Sequence, residues 1–211
     1  MRLAILLGLS LLVGGCAASK PKEPAMAFSP EFQPPGVFET DRVRMEPLGP
    51  RHVELDYAAF MGSREHLRRT LHWGSWPRDD MTVEENREDL SRHEAEYEAR
   101  EAYAYTVLSP DRSACVGCVY FNPESVDEGE EADPRAATMR YWVVEDRIER
   151  DLDKHVVRSF LYLVKTRFPI DRVDIPVHDD DKRGQAIMTE LGLEEGEPMP
   201  NRRVYVWRRG R

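Results

Sequence analysis

The 211-residue sequence predicts an α+β domain: a single central mixed β-sheet flanked by helices. Three observations predict it. A run of antiparallel strand signals is followed by strand–helix–strand–helix–strand, an order that neither an all-α nor an all-β class produces. At 41% hydrophobic and 33% charged residues, the chain has enough apolar material for one ordinary core and too little for two large domains. No internal repeat is visible. Lys and Arg total 30 against 39 Asp and Glu, a net charge of −9, so the phosphate attraction behind nucleic-acid binding is not available to the molecule as a whole. No nucleic-acid partner is expected.

Residues 1–15 read as an export signal. Arg2 supplies the charge, and the mostly apolar run from Leu3 to Val13 is too short to span a bilayer, which takes about 20 residues. The run ends in Val13-Gly14-Gly15-Cys16, which resembles the lipobox of bacterial lipoproteins. That resemblance implies a diacylglycerol on Cys16 and a membrane as partner, each buried methylene contributing about 0.8 kcal/mol. Ala17 follows the Cys, which in Gram-negative lipoproteins goes with the outer membrane, facing the periplasm. Residues 16–36, with Pro21, Pro24, Pro30, Pro34 and Pro35, predict a Pro-rich tether and leave 37–211 as the folded domain.

Within that domain, Phe38 to Met45 is a predicted strand, and Gly49-Pro50 opens a helix in which Val53, Tyr57, Phe60 and Met61 recur at helical spacing. Ser63 is expected to cap a second short helix. After the link Trp73 to Trp76, Thr82 and Glu85 have capping-box spacing and start a long charged helix to about Arg100. Its thin apolar face of Val83, Leu90 and Tyr97 puts it on the surface. Ala102–Leu108 and Ala114–Phe121 form a predicted hairpin, and Glu124 to Pro134 is an acidic loop. Thr138–Val144 is a strand. Leu152, His155, Val156, Ser159, Leu163 and Val164 trace one face of a helix ending near Phe168-Pro169. Val173–Val177 is a strand, Asp180–Leu191 a helix stopped by Gly192, and Val204–Trp207 the last strand.

Three segments together resemble the GNAT acyltransferase superfamily, nearest its ribosomal-protein N-terminal acetyltransferase-like branch. They are Phe38 to Leu48, Met139 to Val144 before the long helix, and Arg183 to Leu193 ending Glu190-Leu-Gly-Leu193. The resemblance implies a GNAT-like fold over Val37 to Trp207. In that family the strand aligned with Met139–Val144 and the helix after it hold acetyl-CoA, with a Gln/Arg-x-x-Gly-x-Gly/Ala loop wrapping the pyrophosphate at the helix N-terminus. Here Ile148 takes the Gln/Arg place, and Asp151 and Asp153 stand where the small residues belong. From Glu145 to Lys154 five carboxylates face three basic side chains, so a second polyanion would be repelled. Asp151 is expected to accept the first free N–H groups of the helix and so fill the anion site with the protein's own side chain. Arg147 and Arg150 are the residues that could still reach phosphates, and the backbone of Trp142, Val143 and Val144 the part that would polarise a thioester. In the second family motif, Asp181 replaces the Asn, Gly184 the small residue, and Met188 a Tyr that often protonates the leaving thiolate; Met188 cannot donate a proton.

Other residues carry chemistry by type. His178, beside Asp179 and Asp180, is the candidate general base, oriented by a carboxylate. His178 with Asp179 to Asp181 offers metal-ligand types without a recognisable spacing, and no metal is expected. Cys115 and Cys118 form a CxxC inside a strand, where positions three apart face opposite sides, so they read as buried structural thiols that do not bridge. A zinc ribbon is excluded because no second Cys pair exists. Trp142 and Trp207 belong to the core, and Trp73 and Trp76 are candidates for a cleft wall. Because CoA thioesters are cytoplasmic, an exported domain without the glycine loop predicts a lipid-anchored, non-acetylating binding or scaffold module. It would take an unknown small-molecule or peptide ligand and no cofactor. The alternative is an active N-acyltransferase carrying acetyl from acetyl-CoA to an amine.

Overall fold

The computed structural model describes residues 26–124 and 131–210. Its eight strands form one sheet in the order β1-β2-β3-β4-β5-β6-β8-β7. They are β1 (Phe38–Glu39), β2 (Arg44–Pro47), β3 (Tyr103–Leu108), β4 (Cys115–Pro123), β5 (Ala136–Val143), β6 (Arg172–His178), β7 (Glu194–Glu195) and β8 (Arg202–Arg208). Among the described residues only the β5–β6 contact is parallel, because the helix α4 (Leu152–Arg167) crosses between them. The remaining helices are α1 (Val53–Gly62), α2 (Arg64–Leu71), α3 (Val83–Ala99) and α5 (Lys182–Glu190).

The core lies on both faces of the sheet, under α4 on one and under α1 on the other. Every residue of β3 is buried, as expected for a continuous Tyr-Ala-Tyr-Thr-Val-Leu run covered on both faces. Phe160 of α4 meets Tyr105 and Phe121 edge-on, with ring centroids 5.6 and 5.4 Å apart. The long charged α3 begins with the expected capping box: Glu85 N–H donates to Thr82 Oγ1, and Thr82 N–H to the Glu85 carboxylate.

Several sequence expectations are corrected here. Phe38–Met45 is two strands, because Thr40 Oγ1 accepts the N–H groups of Arg42 and Val43 and closes a turn between them. Ser63 does not cap α2 with its side chain; its hydroxyl accepts the Glu145 N–H at 3.1 Å and ties the start of α2 to the end of β5. Residues 26–36, expected in the tether, pack onto the domain. Phe28 stacks on Tyr103 at 5.2 Å, the Tyr103 hydroxyl donates to the Ala27 carbonyl, and the Tyr105 hydroxyl donates to the Pro35 carbonyl. Phe28, and Phe32 against Phe168 at 5.4 Å, supply apolar anchors that the proline count conceals. The expected signal sequence and Cys16 lie outside the described residues, as does most of the acidic loop. Among the described residues, no helix is long and apolar enough to cross a membrane.

Candidate functional site

The site is made by two strands that part. On one edge β5 pairs with β4 at seven successive positions, Ala137–Val143 against Pro123–Gly117. On the other edge it pairs with β6 only at Ala136, Ala137 and Thr138. Beyond Thr138, β6 continues against β8 while the β5 backbone has no strand partner on that side, so its N–H and C=O groups are left facing a cleft. The cleft holds about 110 Å³ and is walled by Arg140 to Val143, Pro176 to His178, the inner face of α2 and the start of α5.

Several titratable side chains line it, among them His66, Asp181 and Tyr141. His66, on α2, is largely buried at 14% side-chain exposure. Burial pushes its pKa below the ordinary imidazole value, against the pull of the Glu145 carboxylate, so the ring is neutral at pH 7; the Arg69 guanidinium lies 3.5 Å from its Nδ1, a longer contact than the 3.2 Å amide bond that His178 Nδ1 accepts. Asp181 caps α5, accepting the Gly184 N–H at 2.8 Å, and burial raises its pKa. Residue 184 must be glycine for this close approach, since a Cβ there would sit 2.3 Å from Asp181 Oδ2. Tyr141 also lines the cleft; burial raises its phenol pKa, so it keeps its proton.

His178 lines the same cleft, but its surroundings do not suit a base. The Asp180 N–H donates to His178 Nδ1 at 3.2 Å, so in the neutral ring Nε2 carries the proton and neither nitrogen is free to accept one. The Asp180 carboxylate stays 3.6 Å away. The ring stacks on His72 at 3.6 Å with a 16° tilt. Ligand atoms of His72, His178 and Asp180 fall within 4.8 Å of one another, yet stacked rings aim their lone pairs side by side instead of at one point.

The turn from β5 to α4 departs from expectation. Glu145–Arg150 is a 3₁₀ turn, and Asp151 follows at φ +53°, the left-handed conformation that glycine adopts without strain. Asp151 holds this conformation at a cost of roughly 1–2 kcal/mol. Asp151 does not cap α4 with its side chain. Instead the carboxylates of Asp151 and Asp153 clamp the Arg183 guanidinium at 2.5 and 3.0 Å, and those bonds raise the Arg183 pKa further.

The sequence-predicted residues divide between three cavities. Trp142, Val143 and His178 meet in the cleft with His66. Val144 and Arg147 line a neighbouring cavity of about 560 Å³ between α1 and β4. Arg147 and Arg150 join Arg42 around a recess of about 190 Å³ beside Leu152, the first residue of α4. There Arg42 donates to the Arg150 carbonyl at 2.6 Å. Arg147 Nε is buried with no hydrogen-bond partner, Asp146 Oδ2 being 3.4 Å away. An orphaned donor among three guanidinium groups at the start of a helix fits a phosphate by side chains, where the family pattern uses glycine amides. His66 and Tyr141 escaped the sequence reading because nothing in their local spacing sets them apart from ordinary helix and strand positions.

Residues 42–194 match the family described as the acetyltransferase (GNAT) domain. The structure is similar to the ribosomal L7/L12 alpha-N-protein acetyltransferase RimL in complex with coenzyme A, at 15% identity and TM-score 0.67, covering 82% of this chain and 98% of that one. It is also similar to the Mycobacterium smegmatis RimJ in complex with CoA-disulfide (16% identity, TM-score 0.63, covering 82% and 86%) and to the microcin C7 self-immunity acetyltransferase MccE in complex with acetyl-CoA and AMP (13%, 0.65, covering 84% and 98%). These likenesses establish the fold. No curated protein matches the sequence.

Proposed function

The chain belongs to the GNAT acetyltransferase family, and from that premise we propose that it is an N-acyltransferase that uses acetyl-CoA and acts on an amine. The observation that carries the reading is the parting of β5 from β6, which leaves the Arg140–Val143 edge facing a cleft that also holds a neutral imidazole. Acetyl-CoA, when bound, supplies an activated acyl thioester. The chain's own part is to bind and to move protons. The Val143 N–H, on the open side of β5, is the donor for a carbonyl oxygen; the Val144 N–H, expected in the same role, is instead taken by the Val116 carbonyl at 3.0 Å, and strand alternation turns the Trp142 N–H to that same closed side. His66 accepts the proton of the attacking amine, the role first assigned to His178. Tyr141 holds a proton where Met188 has none to give. Arg42, Arg147 and Arg150 hold phosphate by their guanidinium groups.

Calorimetric titration with acetyl-CoA tests this. Micromolar binding that weakens at least tenfold in Arg147→Ala or Arg150→Ala is expected, together with thiol release on adding an amine. Absence of binding sinks the reading.

One observation favours a second reading. Arg183 and its two carboxylates occupy the mouth of α4, which suits a non-acetylating binding module with a small-molecule or peptide ligand. That reading also agrees with the export signal, since a domain anchored at Cys16 to the outer membrane would not meet cytoplasmic CoA. The anchor has a separate check: Cys16→Ala should release the protein from membranes, and retention there would refute the lipid.

A further inference from the structure

The CxxC is not used by the acyl-transfer chemistry. The structure places it differently from the alternation rule. Cys118 pairs with Thr106, Cys115 pairs with Leu108, and Val116 is the extra residue of a β-bulge between them. One inserted residue shifts the parity of the strand, so side chains three apart land on the same face. That face is covered by α1, and between the two sulfurs lies the carboxylate of Asp56. Cys118 Sγ is 3.3 Å and Cys115 Sγ 3.9 Å from Asp56 Oδ1, and Asn86 Nδ2 donates to Oδ2 at 3.1 Å.

All three residues are in the core, Asp56 at 4% exposure, Cys115 at 5% and Cys118 at 0%. Among the described residues no Lys or Arg forms an ion pair with Asp56. Burial raises its pKa to about 6, which leaves a poorly compensated anion at neutral pH. The other charged and titratable neighbours are Asp89, which adds negative charge, His93 and Tyr120.

We infer that Asp56, Cys115 and Cys118 form a binding site for a thiophilic divalent cation of the Zn²⁺ class. A tetrahedral ion with metal–sulfur bonds of about 2.3 Å and metal–oxygen bonds of about 2.0 Å sets its S and O ligands roughly 3.5 Å apart, and the two observed separations bracket that distance. Binding is balanced by proton release: each thiol gives up its proton to solvent, and two thiolates with one carboxylate surround a dication. Without the ion, burial keeps the Cys118 thiol protonated. Cys115 also lines the cavity between α1 and β4, which supplies a path inward past Ser63 and Arg147. The ion would tie α1 to β4 and is independent of acyl transfer.

The full chain, reduced and stripped with a chelator, is titrated with Zn²⁺ and with Co²⁺ at pH 7.5. The expected result is one ion per chain, release of two protons, and a thiolate-to-cobalt charge-transfer band. All three are lost in Cys115→Ser and Cys118→Ser and kept in Cys16→Ser. A folded protein that takes up no metal overturns the site, as does uptake that persists in the Cys115→Ser/Cys118→Ser double variant. A Cys115–Cys118 disulfide as the resting state, seen as the loss of two hydrogens by mass spectrometry, overturns it too. Should the serine variants fail to fold, Asp56→Asn keeps both thiols and should weaken Zn²⁺ binding at least tenfold; unchanged affinity counts against the proposal.

Discussion

The two edges of β5 are built from the same eight residues and behave in opposite ways. Against β4 the strand is closed: seven pairs run unbroken, and Gly117 lets the backbones approach so closely that a Cβ there would meet the Trp142 carbonyl at 2.2 Å. Against β6 it is open after three pairs, and the cleft begins where the pairing stops. A sheet can hold a reactive backbone edge in its interior only if one seam is over-determined while the other is left unmade. The closed seam supplies rigidity and the open seam supplies unsatisfied donors.

The largest expected effect strikes the open seam. His66→Ala should lower kcat/KM for amine acylation by roughly 10²–10⁴-fold while the melting temperature changes little, measured by thiol release against thermal unfolding. With His66 intact, the same rate should be level near pH 7 and fall as acid protonates the ring through a pKa below 6.5. A fall centred above 6.5 would point to another base.

Trp142→Ala strikes the closed seam. Its side chain is buried at 2% exposure, and removing it should cost about 3–5 kcal/mol in denaturant unfolding. A loss below about 1 kcal/mol would mean that the seam is not the rigid one.

Next in size is a pH effect from beneath β4. Asp56 has a folded pKa of about 6 against 3.8 for an ordinary Asp. A raised pKa gives a contribution that is complete below 3.8 and lost as pH rises through 6. The metal-free protein should therefore lose roughly 3 kcal/mol of that contribution between acidic and neutral pH. Asp56→Asn should flatten the dependence in urea unfolding followed across pH; a slope unchanged by that substitution would assign it to another group.

The smallest effect belongs to Arg183→Ala. Its guanidinium is 41% exposed, so losing the clamp on Asp151 and Asp153 should change stability by no more than about 1 kcal/mol. Acetyl-CoA affinity is then the informative readout. A gain would mean that the clamp competes with phosphate, and a loss would mean that it braces the turn.

Much of the fold was legible in the sequence because its signals are local. Thr82 and Glu85 announced α3, the helical spacing of Leu152, Val156, Leu163 and Val164 announced α4, and the short connection between Leu108 and Ala114 announced the β3–β4 hairpin. Three of the misreadings share one cause, which is that a residue's partner was distant in the chain. Ser63 looked like a cap until the Glu145 N–H took its hydroxyl. Asp151 looked like a cap until Arg183, on another helix, drew its carboxylate away. The prolines of residues 26–36 looked like a tether until Tyr103 and Tyr105 supplied hydroxyl donors for its carbonyls.

The sequence by itself determined the class of the domain, the order of its elements and the family it belongs to, because periodicity, capping and turn chemistry act over a few residues. Only the tertiary structure decided where β5 leaves β6, which histidine in the cleft burial holds neutral, and on which face Cys115 and Cys118 meet Asp56. Those outcomes depend on backbone register and burial. A one-residue bulge or a distant N–H sets both, and neither leaves a mark in the spacing of letters along the chain.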